Sequence, residues 1–125
     1  LPLVYSCSGC SNAAQLANAL ALQLAREGLA EMSCIAGVGG GVPALVRVAR
    51  SGRPILALDG CHLGCVRACL AQCSVSADRH LVLADHGVRK RGQEADNADE
   101  FAVLLPRVRE AATELACALL ASGAS

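Results

Sequence analysis

The run Pro54-Ile55-Leu56-Ala57-Leu58 has no polar side chain at any position, and Asp59-Gly60 breaks it abruptly. Side chains of a strand point alternately to its two faces. A strand that is apolar on both faces must be covered on both, which is the situation inside a parallel sheet flanked by helices. Three other short runs, Leu3 to Ser6, Met32 to Ala36 and His80 to Ala84, are mostly apolar and read as further strands.

Amphipathic segments separate these runs. Leu16, Leu20 and Leu24 recur every four residues beside Ala17 and Ala21, giving one apolar face to a helix. Asn12 is placed to cap its start, and Gly28 to stop it after Glu27. Pro43 suits the first turn of a second helix ending near Ser51. A third helix is expected from His62 to about Gln72. The last covers part of Asp99 to Ala121, with Pro106 marking a start near Leu105. Alternating strands and helices at this spacing pair in parallel through right-handed crossovers. The predicted fold class is therefore α/β. The expected architecture is a small three-layer sandwich with a four-stranded parallel sheet in the flavodoxin-like order 2-1-3-4, and residues 1–125 are read as one domain.

Composition narrows the function. The chain is 54% hydrophobic but has one Tyr, one Phe and no Trp. Its core must be built from Ala, Leu, Val and Ile, and it lacks the aromatic platforms on which single-stranded bases stack. Eleven basic and eleven acidic residues cancel, so no overall field draws nucleic acid or anionic lipid. Arg89-Lys90-Arg91 reads as a solvated part of a polar loop from Arg89 to Asn97. No apolar stretch is long enough to span a bilayer. Leu1 to Ser6 lacks the basic start of a signal peptide. The expected setting is the cytoplasm, without nucleic-acid or membrane partners. The Ala-rich helices and open sheet edges are compatible with a homodimer.

Eight cysteines stand out in so apolar a chain. A secreted disulfide scaffold would be loop-rich and poor in apolar periodicity, so these thiols are expected to stay reduced. Ligands of open α/β sheets gather beyond the carboxyl ends of the strands. The predicted strands deliver Cys7 and Cys10, Cys34, Asp59 with Cys61 and Cys65, and Asp85 with His86 to that edge. On a helix, Cys61 and Cys65 would stand one turn apart, about 5–6 Å between Cβ atoms, which one ion can bridge. Cys69 lies too far along the axis to share that ion with Cys61. Cys69, Cys73 and Cys117 read as small apolar packing residues.

Other motifs admit plainer roles. Cys7-Ser8-Gly9-Cys10 is a CxxC, shared by zinc knuckles and dithiol redox centres. It is not a phosphatase loop, because Ala13 stands where that chemistry needs Arg. Gly37-Val38-Gly39-Gly40-Gly41 lacks the final glycine of a dinucleotide loop and reads as a turn beside the site. Asp59 would either cap the following helix or orient a ligand. His62 and His86 are candidate ligands or acid–base groups, weighed against simple exposure.

Cys7-Ser8-Gly9 with Asn12, the run Cys34-Ile35-Ala36-Gly37-Val38-Gly39, Asp59-Gly60-Cys61 with Cys65, and Asp85-His86-Gly87-Val88 with Lys90 together resemble the bacterial DGC-domain proteins. The resemblance spans roughly residues 3–120. It implies zinc as the cofactor and metal ligands at Cys7, Cys34, Cys61 and Cys65, with Cys10 as a possible additional ligand, and it supplies no reaction. A metal carrier or sensor is the expected role. The alternatives are a thiol–disulfide protein using Cys7 and Cys10 with Cys61, and an iron–sulfur protein.

Overall fold

The computed structural model describes residues 1–89 and 97–121. Lys90, Arg91 and most of the expected polar loop lie outside the described residues. Four strands form one parallel sheet: β1 (Leu3–Ser6), β2 (Glu31–Met32), β3 (Ile55–Asp59) and β4 (Arg79–Val82), in the order β2-β1-β3-β4. This is the predicted order. All five residues of β3 are buried, as their composition requires.

Five helices accompany the sheet: α1 (Asn12–Arg26), α2 (Ile35–Gly39), α3 (Pro43–Ala49), α4 (Cys65–Gln72) and α5 (Ala98–Ala121). Register assigns the faces. Ser6 pairs with Leu58, and Leu58 with Leu81, on one face, where Ser6 meets Asn18 of α1 and the neighbouring Arg79 meets Glu114 of α5. Tyr5, Ala57 and His80 share the other face, towards α4. Leu16, Leu20 and Leu24 of α1 are all buried, each worth about 2 kcal/mol of transfer free energy. Arg109 of α5 grips Glu27 through two hydrogen bonds of 2.8 and 2.7 Å. The guanidinium holds the Glu27 carboxyl down at about 2.

Several boundaries differ from the sequence reading. Ser11, not Asn12, caps α1, accepting a 3.1 Å hydrogen bond from the Ala14 N–H. β2 stops at Met32, and Cys34 stands at the N-cap position of α2, without a side-chain capping bond, instead of closing the strand. The glycine run expected to turn is therefore largely helical. The third helix starts at Cys65, after Gly64 in the left-handed conformation with φ of 65°. β4 ends at Val82 and passes into a 3-10 turn, Leu83–His86. The last helix starts at Ala98 and keeps Pro106 inside it. Asp99 and Glu100 lie in its first turn, where acidic groups complement the helix dipole.

The glycines of α2 serve close packing. A Cβ on Gly39 would stand 2.7 Å from the Cys69 sulfur of α4, and one on Gly37 would overlap Leu45. Gly39→Ala should destabilise the fold by about 1–2 kcal/mol through this overlap. Adding Cys69→Ala should return part of the loss, and a urea-denaturation double-mutant cycle measures the coupling. Additive effects would show that α2 and α4 do not meet here.

Candidate functional site

The site is built where the sheet order reverses, between the carboxyl ends of β1 and β3. The triplet Asp59-Gly60-Cys61 organises it. Asp59 is 1% exposed. Its Oδ1 accepts a 2.8 Å hydrogen bond from the Val66 N–H at the start of α4, and its Oδ2 lies 2.7 Å from His80 Nε2. A longer contact of 3.4 Å runs from the Arg67 N–H. Asp59 thus caps α4 from the strand before it, with His80 completing its shell. A buried carboxylate needs such partners, because an uncompensated one costs several kcal/mol.

Gly60 follows because nothing larger fits. A Cβ there would come within 2.6–2.9 Å of the backbone of Ala13 and Ala14 in the first turn of α1. The same close approach lets the Gly60 N–H donate to Cys7 Sγ at 3.1 Å.

Cys61 then enters the cleft. Cys7, Cys10, Cys61 and Cys65 line one cavity of about 230 Å³, walled also by Ser8, Ala14 and Leu63. Cys7 is buried, Cys61 half-buried, and Cys10 and Cys65 are exposed. Cys61 precedes α4 and Cys65 opens it, so the two are not one turn apart on a helix as expected; the Gly64 bend brings both to the same cavity. Cys34 lies in the adjoining cleft with Ile35 and Ala36, and Ser8 belongs to both. The reason is the short β2, which ends two residues before Cys34.

The remaining candidates separate by contact. Cys69 is half-buried under α2, and Cys73 is half-buried with its thiol 3.4 Å from the Leu70 carbonyl. Cys117, expected to pack, is exposed on α5. His62 Nε2 pairs with Asp85 Oδ1 at 2.9 Å on the surface. His86 lines a separate cleft with Val88 and Val103. His80 was missed by the sequence reading. Its only signal was strand alternation, which puts it on the face of Asp59. Asn12 is fully buried beside the cleft; its Nδ2 donates to the Arg89 carbonyl at 2.8 Å, and its own carbonyl accepts from Asn97 Nδ2 at 3.0 Å.

Burial pushes the Cys7 thiol above its ordinary value, and the nearby Asp59 adds to this, against the opposing Gly60 N–H. All eight cysteines are free thiols. Soft sulfur donors around one cavity are the chemistry that zinc takes. Among the described residues, however, no three His, Cys, Asp or Glu side chains stand close enough together to hold a metal ion. The donor set fits zinc in kind; its present placement is open.

With this geometry, the comparison with known families is direct. The DGC domain pattern matches residues 3–108. The chain belongs to the DGC-domain family. The triplet that names the domain thus has three separate physical duties in this DGC protein: helix anchor, close approach and thiol. The chain is also 65% identical over 111 residues to the anaerobic and virulence modulator AnvM of Pseudomonas aeruginosa, covering 86% of this chain and 85% of that one. No solved structure matches it significantly. Among the described residues, no helix is long and apolar enough to cross a membrane.

Gly60→Ala should cost about 3 kcal/mol, because the added methyl meets backbone that cannot rotate away; equilibrium unfolding checks this, and wild-type stability would contradict it. The alkaline limb tests Cys7. A thiol whose folded value is raised keeps its proton longer in the folded than in the unfolded chain. Its contribution is whole below about 9 and is lost as pH rises through the folded value. Urea midpoints should fall above that pH, and less steeply in Cys7→Ala.

Proposed function

We propose that this DGC protein is a metal-binding regulatory protein of the cytoplasm that holds zinc through Cys7, Cys61 and Cys65, with Cys34 as the fourth ligand and Cys10 as an additional, exchangeable one. The observation that supports this best is the shared cavity, which thiols from β1–α1 and from β3–α4 line together. Cys7 is held by Gly60, and Asp59 fixes the helix that starts at Cys65. These are the two fixed points around which exposed Cys10 and half-buried Cys61 can adjust. Cys34 lies in the adjoining cleft, which shares Ser8 with this cavity, and would have to swing towards it to complete the set. When bound, zinc would supply a closed, redox-inert crosslink between the two halves of the sheet edge. Cys7 would have to lose the proton that burial favours, so binding should release protons and strengthen with pH.

The regulatory part of the proposal draws on AnvM, whose name describes a modulator of anaerobic behaviour and virulence. A thiolate site suits such a role, because thiols respond to oxidant and metal alike. A second reading has a specific observation behind it. Exposed Cys10 and buried Cys7 share the cavity, as a dithiol pair with one accessible member would. In that reading Cys61 is the partner thiol.

Elemental analysis of untreated protein should find about one zinc per chain, the number one four-thiolate site takes. Cys61→Ser and Cys65→Ser should lose that zinc while retaining the helical circular dichroism of wild type. Cys10→Ser should keep it. Metal-free wild type that forms a reversible Cys7–Cys10 disulfide would replace this reading with the dithiol one. Visible absorbance with bound iron would replace it with an iron–sulfur protein.

A further inference from the structure

The second cleft at the sheet edge has a wall unlike the first. Ser6, Ser8, Asn18, Leu22, Met32, Ser33, Cys34, Ile35 and Ala36 enclose about 430 Å³, within the range of small-molecule sites. It opens beyond the carboxyl ends of β1 and β2, where α/β sheets hold ligands. None of its lining residues is acidic or basic, so nothing there would balance a charged ligand. Its apolar part is aliphatic: Leu22 of α1, Met32 of β2 and Ile35 of α2. Its polar part gathers on β1 and α1. Ser6, 3% exposed, spends its hydroxyl on a long 3.4 Å contact with Asn18 Oδ1. That leaves the Asn18 amide nitrogen as a donor without a partner among the described residues, in a cleft that Ser8 and Ser33 also line.

The geometry points to a binding site for a small, uncharged, amphipathic molecule with a carbonyl-type acceptor at one end and an aliphatic chain at the other. The acceptor meets Asn18 and the serines, and the chain lies along Leu22, Met32 and Ile35. The site deepens the proposed function without depending on a metal. Ser8 belongs to both clefts, so an occupant here touches the loop that carries Cys7 and Cys10. It also covers Cys34, which is exposed when the cleft is open.

Cys34 is therefore the reporter. The probes are straight-chain primary amides from butanamide to decanamide, and the readout is the rate of iodoacetamide labelling at each cysteine of the whole, chelator-treated chain, followed by peptide mass spectrometry. Saturating amide should slow Cys34 at least tenfold and leave exposed Cys117 unchanged. The concentration for half-protection should fall about fourfold per added methylene until the cleft is filled, the worth of one buried methylene. Leu22→Gln, at a surface-accessible position, should weaken protection by the longer amides more than by the shorter. Equal slowing of Cys34 and Cys117, or protection independent of chain length, would overturn the assignment. So would unchanged Cys34 labelling at saturating amide in this metal-free protein, which would leave the zinc proposal standing and this one not. Loss of zinc binding with amide protection intact would do the reverse.

Discussion

The chain's organisation depends on how closely β3 approaches α1. At Gly60 the two backbones are near enough that a single methyl group would collide with Ala13 and Ala14. This contact lets a backbone N–H reach the Cys7 sulfur at 3.1 Å. It joins the loop after the first strand to the loop after the third, which are 53 positions apart in sequence. Parallel sheets often leave a crevice where strand order reverses. Here the crevice is narrowed at its floor by a glycine and lined above by thiols.

Asp59 performs the complementary electrostatic task. Removing a carboxylate from water is costly unless charge-assisted hydrogen bonds replace the lost solvent. The first N–H groups of α4 have no partners within the helix, and Asp59 supplies one from below. His80 supplies the remaining contact from the neighbouring strand. One residue thus settles its own desolvation and an orphaned helix end together, and it orients the segment that holds Cys61 and Cys65.

The sequence disclosed those parts of the structure that rest on periodicity. The uniformly apolar Ile55 run, the four-residue spacing of Leu16, Leu20 and Leu24, and the strand order all follow from which side chains must leave water. The errors arose where tertiary contact overruled local preference. Gly37 and Gly39 suggested a turn because glycine weakens helices. In the fold they are the residues that let α2 press against Leu45 and Cys69. Pro106 suggested a helix start, but proline can also be carried within a long helix that packs well. The meeting of Cys7 and Cys10 with Cys61 and Cys65 was legible from the sheet-edge rule. The position of Cys34 was not, because it depends on β2 ending after two residues. His80 was invisible for a similar reason: alternation gives its face, but only the assembled sheet gives its neighbour.

Helix α4 has eight residues, fewer than a helix needs to persist alone in water. It survives because β3 holds its first turn and because Val66 and Leu70 are buried. The wall bearing Cys65 thus borrows its order, as the still shorter α2 and α3 do. Opening events smaller than global unfolding should begin there, with the strands still paired. The cleft wall can in this way loosen and re-form without the core ever being dismantled.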